Sequence, residues 1–218
     1  DIEEGYREVT GATMMVGDVA FHQQTSLPTV IGFYNSAGMI YTDLLVKWYS
    51  TTNGKRYDIN FRFKWDEITA TDTTRKYLDW YIGSKEIADA DLSNPGQVLE
   101  KQATGLSFFQ FIDNKIPADP NVIKRVFRGI NIMASVASED LYTYMIVNAP
   151  SNGLIQEKPQ YTNLTNGVGI FSSKYNKALP NKFLNISSLT EIASGQITGH
   201  LNFCSDSIAF SAYSFYCP

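Results

Sequence analysis

Between Leu44 and Ile82 apolar and polar side chains alternate with period two, the pattern of strands that bury one face. Asn53-Gly54 interrupts it with the dipeptide preferred in two-residue type I′ turns, where both central residues need positive φ. A hairpin closed there pairs Trp48 with Ile59, Val46 with Phe61 and Leu44 with Phe63. The connection Thr71-Asp72-Thr73-Thr74 supports a second hairpin whose symmetric register sets Trp65 opposite Trp80 and Phe63 opposite Ile82. The prediction is a three-stranded antiparallel meander that turns Leu44, Val46, Trp48, Ile59, Phe61 and Phe63 inward, together with Trp65, Leu78, Trp80 and Ile82. Its other face presents Lys47, Tyr49, Asp58, Asn60, Arg62 and Lys64, then Asp66, Tyr77, Asp79 and Tyr81. This register opposes Asp66 to Asp79, a like-charge pair that needs a cation, for which Lys64 is at hand. A bound metal is the alternative there, but two carboxylates are a thin ligand set.

Beyond Asn94-Pro95-Gly96, a turn signal, the period changes to 3.6: Phe108, Phe109, Ile112 and Ile116 form a helical stripe that Pro117 ends. Alternation returns over Arg128 to Val136, with Ile130, Ile132, Ala134 and Val136 on one face. Ser138, followed by Glu139 and Asp140, places a cap and two acids at a helix start, and Leu141, Tyr144 and Met145 follow on one side. Residues 149 to 166 read as a long loop and Val168 to Ser172 as a short strand. Ser188-Leu189-Thr190-Glu191 has capping-box spacing and opens a short helix that Gly195 terminates. Thr198 to Phe203 and Ile208 to Phe215 read as the last two strands. The fold class expected is mostly β: one sandwich-like domain over residues 1 to 218, with an antiparallel meander and two or three short helices. Residues 1 to 43 carry apolar stretches without a self-contained pattern, as in an irregular segment or one that pairs with a partner.

Composition supports a folded core, because 44% of the residues are hydrophobic and 13 Phe, 13 Tyr and 3 Trp supply large apolar areas. The formal charge of −4 is spread along the chain and leaves no footprint for nucleic acid. Lys124, Arg125 and Arg128 form the nearest thing to a basic cluster and read as a solvated face. No apolar run is long enough to cross a membrane as a helix. The start at Asp1, with no Met and no apolar leader, reads as a processed export product. Cys204 and Cys217 are the only cysteines, twelve residues lying between them, a spacing compatible with one disulfide closing a C-terminal loop. Two buried free thiols are the alternative.

The stretches ASEDLYTYMIVNAP (137 to 150), YTNLTNGVGIFSSKYN (161 to 176) and SLTEIASGQITGHLNF (188 to 203) resemble the C-terminal half of uncharacterised Bacteroidota cell-envelope proteins, often lipoproteins. The resemblance is limited to about the last 80 residues. It implies an exported β-rich domain at the outer membrane or cell surface of a Gram-negative bacterium, with the periplasm as the alternative. It carries over no catalytic residue. A lipid anchor would have to lie upstream of Asp1, because the chain has no N-terminal Cys. Exported proteins of that phylum can be O-glycosylated at Asp-(Ser/Thr)-apolar or Thr triplets, which marks Thr73 in Asp72-Thr73-Thr74 and Ser207 in Asp206-Ser207-Ile208.

The signatures of common chemistries are missing from the sequence. His22 and His200 are isolated and fit no metal-ligand spacing, and no nucleophile elbow is present. Gly167-Val168-Gly169 lacks the third glycine and the following helix of a phosphate loop. Asn163-Leu164-Thr165 and Asn185-Ile186-Ser187 are N-glycosylation sequons, relevant to a eukaryotic secretory host. No cofactor and no metal site is expected. Tyr49, Tyr77 and Tyr81 on the polar sheet face are the candidate contact residues, since exposed tyrosines anchor interfaces and stack on sugars. The functional expectation is therefore a non-catalytic envelope or surface accessory protein that binds another envelope protein or a glycan. The alternatives are a structural subunit of a surface assembly and a glycan-active hydrolase.

Overall fold

A computed structural model describes residues 7–149 and 160–218. In chain order the strands are β1 (Thr10–Gly11), β2 (Val30–Ile31), β3 (Tyr34–Asn35), β4 (Ile40–Tyr41), β5 (Leu44–Tyr49) and β6 (Arg56–Thr69). They continue with β7 (Thr73–Glu86), β8 (Val98–Ala103), β9 (Val122–Ala137), β10 (Leu164–Thr165), β11 (Lys174–Leu184) and β12 (Phe203–Cys204). Among the described residues four α-helices intervene: α1 (Gln23–Ser26), α2 (Gly105–Lys115), α3 (Glu139–Val147) and α4 (Ile186–Ser194). The principal sheet runs β2-β11-β9-β6-β7, and β12 joins β9 beyond the end of β11. A second sheet, β5-β8, supplies Val46, Trp48 and Leu99 to the same core, and α2 adds Phe108, Phe109 and Ile112. The architecture is mostly β and sandwich-like.

The inward set read from the sequence is inside, yet the strand pairing differs. β5 does not form a hairpin with β6; it pairs antiparallel with β8, Trp48 opposite Leu99 and Val46 opposite Lys101. Its alternation is the same because it faces β6 across the core instead of lying beside it. Asn53 has positive φ and Gly54 does not, so the segment is a connection between sheets and not a type I′ hairpin turn. Glycine is needed at 54 for space: a Cβ there would overlap the Tyr57 hydroxyl, which accepts a hydrogen bond from Thr51 N (2.8 Å).

The β6–β7 hairpin exists, but Trp65 faces Lys76, Phe63 faces Leu78 and Phe61 faces Trp80. The slip from the symmetric register is four residues, an even number, so every side chain keeps its face. Electrostatics favours the observed alignment. Asp66 lies opposite Arg75, and Asp79 opposite Arg62, which replaces the predicted like-charge pair with two ion pairs. Lys64 instead donates to Asn181 Oδ1 (3.3 Å).

The long strand β9 contains the predicted alternation, and Ser138 caps α3, its Oγ accepting from Leu141 N. α2 and its end at Ile116 also stand as read. Four C-terminal expectations are corrected. Val168 to Ser172 is not a strand; β11 begins at Lys174. α4 starts three residues before the capping box, with Asn185 as its cap, while the buried Ser188 hydroxyl accepts from Phe33 N (2.8 Å) and Tyr34 N (3.0 Å). Thr198 to Phe203 is largely a 3₁₀ turn, and Ile208 to Phe215 is 3₁₀ and turns rather than a strand. Residues 149 and 160–163 are irregular as read, and 150–159 of that loop lie outside the described residues. In the N-terminal segment, Val16, Val19, Phe21, Ile31 and Phe33 are buried in the common core.

Candidate functional site

One edge of β9 is shared between two strands. β11 runs antiparallel to it as far as Lys182 opposite Ile130, and β12 runs parallel to it from Phe203 opposite Arg125 to Cys204 opposite Val126. Phe127, Arg128 and Gly129 are left without a strand partner on that edge. On the other edge Arg128 and Gly129 together oppose Lys64, a bulge in which Gly129 takes φ +91°. The chain bridges the gap with α4, and the disulfide-closed C-terminal loop forms the opposite wall.

The result is a groove of about 610 Å³. Phe127, Leu184 and Leu189 form its buried base. Val30 (53% exposed), Phe183 (50%) and Ile186 (41%) present large apolar surface at its mouth. Phe210 and the polar run Ser205, Asp206 and Ser207 come from the C-terminal loop. Cavities of about 300–1,000 Å³ with mostly apolar walls and a few fixed polar groups are typical ligand sites.

Arg128 lines the groove and is fixed by two carboxylates, its Nε donating to Asp66 Oδ2 (2.6 Å) and its Nη1 to Asp206 Oδ1 (2.8 Å). Asp66 also accepts from Arg75 Nε (2.9 Å). Next along β6, Glu67 accepts from Arg125 Nε (2.9 Å) and from Lys76 Nζ. Arg125 is buried, and its remaining bonds go to the carbonyls of Leu201 (2.7 Å) and Pro117 (3.0 Å). The basic trio is therefore not a solvated face, because Arg125 is interior and Arg128 is tied to two acids. The hydrogen bond from Arg75, with that from Arg128, holds the Asp66 carboxyl below its ordinary value, although burial opposes this. Burial pushes Glu67 up, but the bonds and charges of Lys76 and Arg125 outweigh it and leave its pKa lowered. Both groups are thus fixed as carboxylates and are poorly suited to donate a proton to a leaving group.

The three candidate tyrosines do not share a face. Tyr77 and Tyr81 sit on the outer face of β7, 60% and 50% exposed. The Arg62 guanidinium lies 4.2 Å from the Tyr77 ring centre, and the Tyr81 hydroxyl donates to Asp58 Oδ1 (3.2 Å). Tyr49 belongs to the other sheet and is half-buried against His22, ring centres 5.4 Å apart. Sequence reasoning placed them together because it joined β5 to β6.

Cys204 and Cys217 form the disulfide (S–S 2.07 Å), closing a loop of turns and not tying two strands. Thr73 is exposed at the β6–β7 tip, and Ser207 is exposed on the groove wall. The His22 Nδ1 caps α1 by accepting from Gln24 N (3.2 Å), and His200 lies 3.3 Å from Asp113. Asn163 holds Phe171 through both its amide atoms, and the Asn185 side chain caps α4. The sequon amides are thus engaged within the fold. The Gly167 to Gly169 segment is a bend, where Gly169 takes φ +135°. Sequence reasoning missed the groove entirely, since its walls come from residues 30, 127–128, 183–189 and 205–210.

No family model matches the chain, and no curated protein matches it. Among solved structures, Spo0M, a sporulation control protein from Bacillus subtilis, is similar at 9% identity over 78% of this chain and 49% of that one, with a TM-score of 0.26. The chain spans about half the length of that protein, and a likeness of this degree carries no functional argument.

Proposed function

We propose that this chain is a non-catalytic binding protein of the cell envelope or surface, and that it grips another envelope protein by taking apolar side chains of that partner into the groove between α4 and the disulfide loop. The observation that carries the reading is the groove itself, an apolar depression rimmed by polar groups. Exposed apolar surface of this kind marks an interaction site when it is contiguous and concave. Its charged groups, Arg128 and Asp206, are already paired with each other, so the partner need mainly cover carbon surface. An intramolecular disulfide supports an oxidising compartment outside the cytoplasm.

The test is affinity capture from native envelopes with the intact chain and with Phe183→Asp and Ile186→Asp, folding being checked by circular dichroism. A stoichiometric envelope protein recovered by the parent and lost from both variants is the expected result. Equal recovery by all three would move the contact away from the groove. Hydrolysis of a glycan by the pure chain would replace the reading with an enzymatic one.

A further inference from the structure

The outer face of the principal sheet, turned away from the core, carries charged and amide side chains around Lys64. Arg62 and Asp66 flank it on β6, and Tyr77 lies directly opposite on β7 between Arg75 and Asp79. On β9 its neighbours are Asn131 and the bulge at Arg128 and Gly129. Side chains opposite or diagonal to one another across strands are within mutual reach when they are long. Each carboxylate here is already engaged. Arg62 grips Asp79 through two bonds of 2.7 Å, while Asp66 accepts from Arg75 and from Arg128, which also reaches Asp206. The four cations Arg62, Lys64, Arg75 and Arg128 thus stand against the three carboxylates Asp66, Asp79 and Asp206. Lys64 is the one left over: it has no ion pair among the described residues, and its Nζ donates only to Asn181 Oδ1 (3.3 Å). Burial, and after it the charge of Arg75, push the Lys64 ammonium below its ordinary value. Keeping a half-buried ammonium charged beside guanidinium groups is costly, and a bound anion would offset that cost.

The groups around Lys64 narrow the anion. Asn131 Oδ1 accepts from Asn181 N (3.2 Å) and Asn181 Oδ1 accepts from Lys64, so the amide NH2 ends of both asparagines have no partner among the described residues. Bulges in two adjacent strands set these side chains: one at Gly129 in β9, the other between Leu179 and Lys182 in β11, where Asn181 takes φ +57°. The Arg75 guanidinium and the Tyr77 ring are exposed at the margin. An ammonium with amide donors from several directions suits a tetrahedral oxyanion, whereas the two oxygens of a carboxylate match a guanidinium fork. A single surplus cation on a chain of net charge −4 disfavours a polyanion. We propose that Lys64, Asn131 and Asn181 form a binding site for one phosphate-class oxyanion, with Arg75 and Tyr77 at its margin. None of these residues lines the groove, so this reading and that one fail independently.

The test is titration of the intact chain with sodium phosphate against sodium chloride of equal ionic strength, followed by calorimetry and by melting temperature. Phosphate should bind with a Kd on the order of 1 mM and raise the melting temperature, and chloride should not. Acetate should bind at least about tenfold more weakly. Lys64→Gln, which removes no ion pair and whose folding circular dichroism checks, should weaken phosphate roughly tenfold. Lys85→Gln, an exposed lysine near the other end of β7, should change affinity by less than about twofold. Vesicles of phosphatidic acid distinguish the source of the phosphate. Co-sedimentation of the parent but not of Lys64→Gln assigns a lipid headgroup, and any other result there assigns a soluble ligand. No binding at about 20 mM phosphate would overturn the proposal. So would equal binding by the parent and Lys64→Gln, an equal loss in Lys85→Gln, or equal affinity for acetate.

Discussion

Arg125 and Glu67 show how much of a charged residue's role is decided by contacts far along the chain. They are 58 positions apart in sequence, and nothing local to Lys124, Arg125 and Arg128 distinguishes an interior guanidinium from a solvated one. The structure places the Arg125 side chain at 2% exposure, so its charge is tolerated only because Glu67 and two carbonyls surround it. Removing one member of a buried pair leaves the other desolvated and alone. Glu67→Ala should therefore cost about 3 kcal/mol in urea unfolding, whereas exposed Glu100→Ala should cost almost nothing. The same network sets the acid limit. Asp66 and Glu67 have folded pKa values lowered from 3.8 and 4.5, so the unfolded chain binds protons first as pH falls. Their contribution is complete above the higher of those values and is lost as pH drops through the lower folded ones. Acid unfolding below about pH 4.5 should be blunted in Glu67→Gln, which has one fewer of these groups to protonate.

At the scale of elements, faces were legible and neighbours were not. The period-two pattern identifies which side chains of β5, β6 and β7 point inward, because alternation depends only on the strand's own backbone. It cannot separate a strand beside β6 from one across the core, and that ambiguity misplaced β5 and Tyr49. The hairpin register was open to an even slip, which leaves hydrophobic burial unchanged. Charge pairing, Asp66 with Arg75 and Arg62 with Asp79, was the discriminating signal available in the sequence. The C-terminal region misled for a different reason: aromatic spacing over 208 to 215 imitates a strand, but a short loop closed by Cys204 and Cys217 forces turns there. That closure has an energetic consequence. A bridge spanning 13 positions should contribute about 3 kcal/mol by restricting the unfolded chain. In the Cys204→Ser/Cys217→Ser variant, thermal stability should fall accordingly, and hydrogen exchange should accelerate over 205–216 while β6 stays protected. Equal loss of protection throughout would mean that the loop folds as one unit with the sheet.

At the scale of the whole molecule, the proposed role of the groove bears on association. The groove was not visible in the sequence, because it is assembled from segments that meet only after the sheets form. A two-fold dimer needs a patch that is complementary to itself, and a concave apolar groove cannot close against its own copy without a matching protrusion. Ile208, 79% exposed on the C-terminal loop beside the groove wall, is a nearby side chain that would serve as such a protrusion. It is a single isoleucine, and the standard stable interface covers about 800 Å² per partner with several buried anchors. The exposed strand β7 offers little help: its free edge carries Arg75, Lys76 and Lys85 and is broken by a bulge at Gly83, devices that oppose edge-to-edge pairing. Sedimentation of the pure chain at micromolar concentration should therefore give a monomer, leaving the groove free for a different protein. A dimer that dissociates on Ile208→Asp would put that side chain in the neighbour's groove, and the chain would then be read as a self-assembling subunit. A dimer indifferent to Ile208→Asp and to Phe183→Asp would locate self-association elsewhere and leave the groove available to its partner.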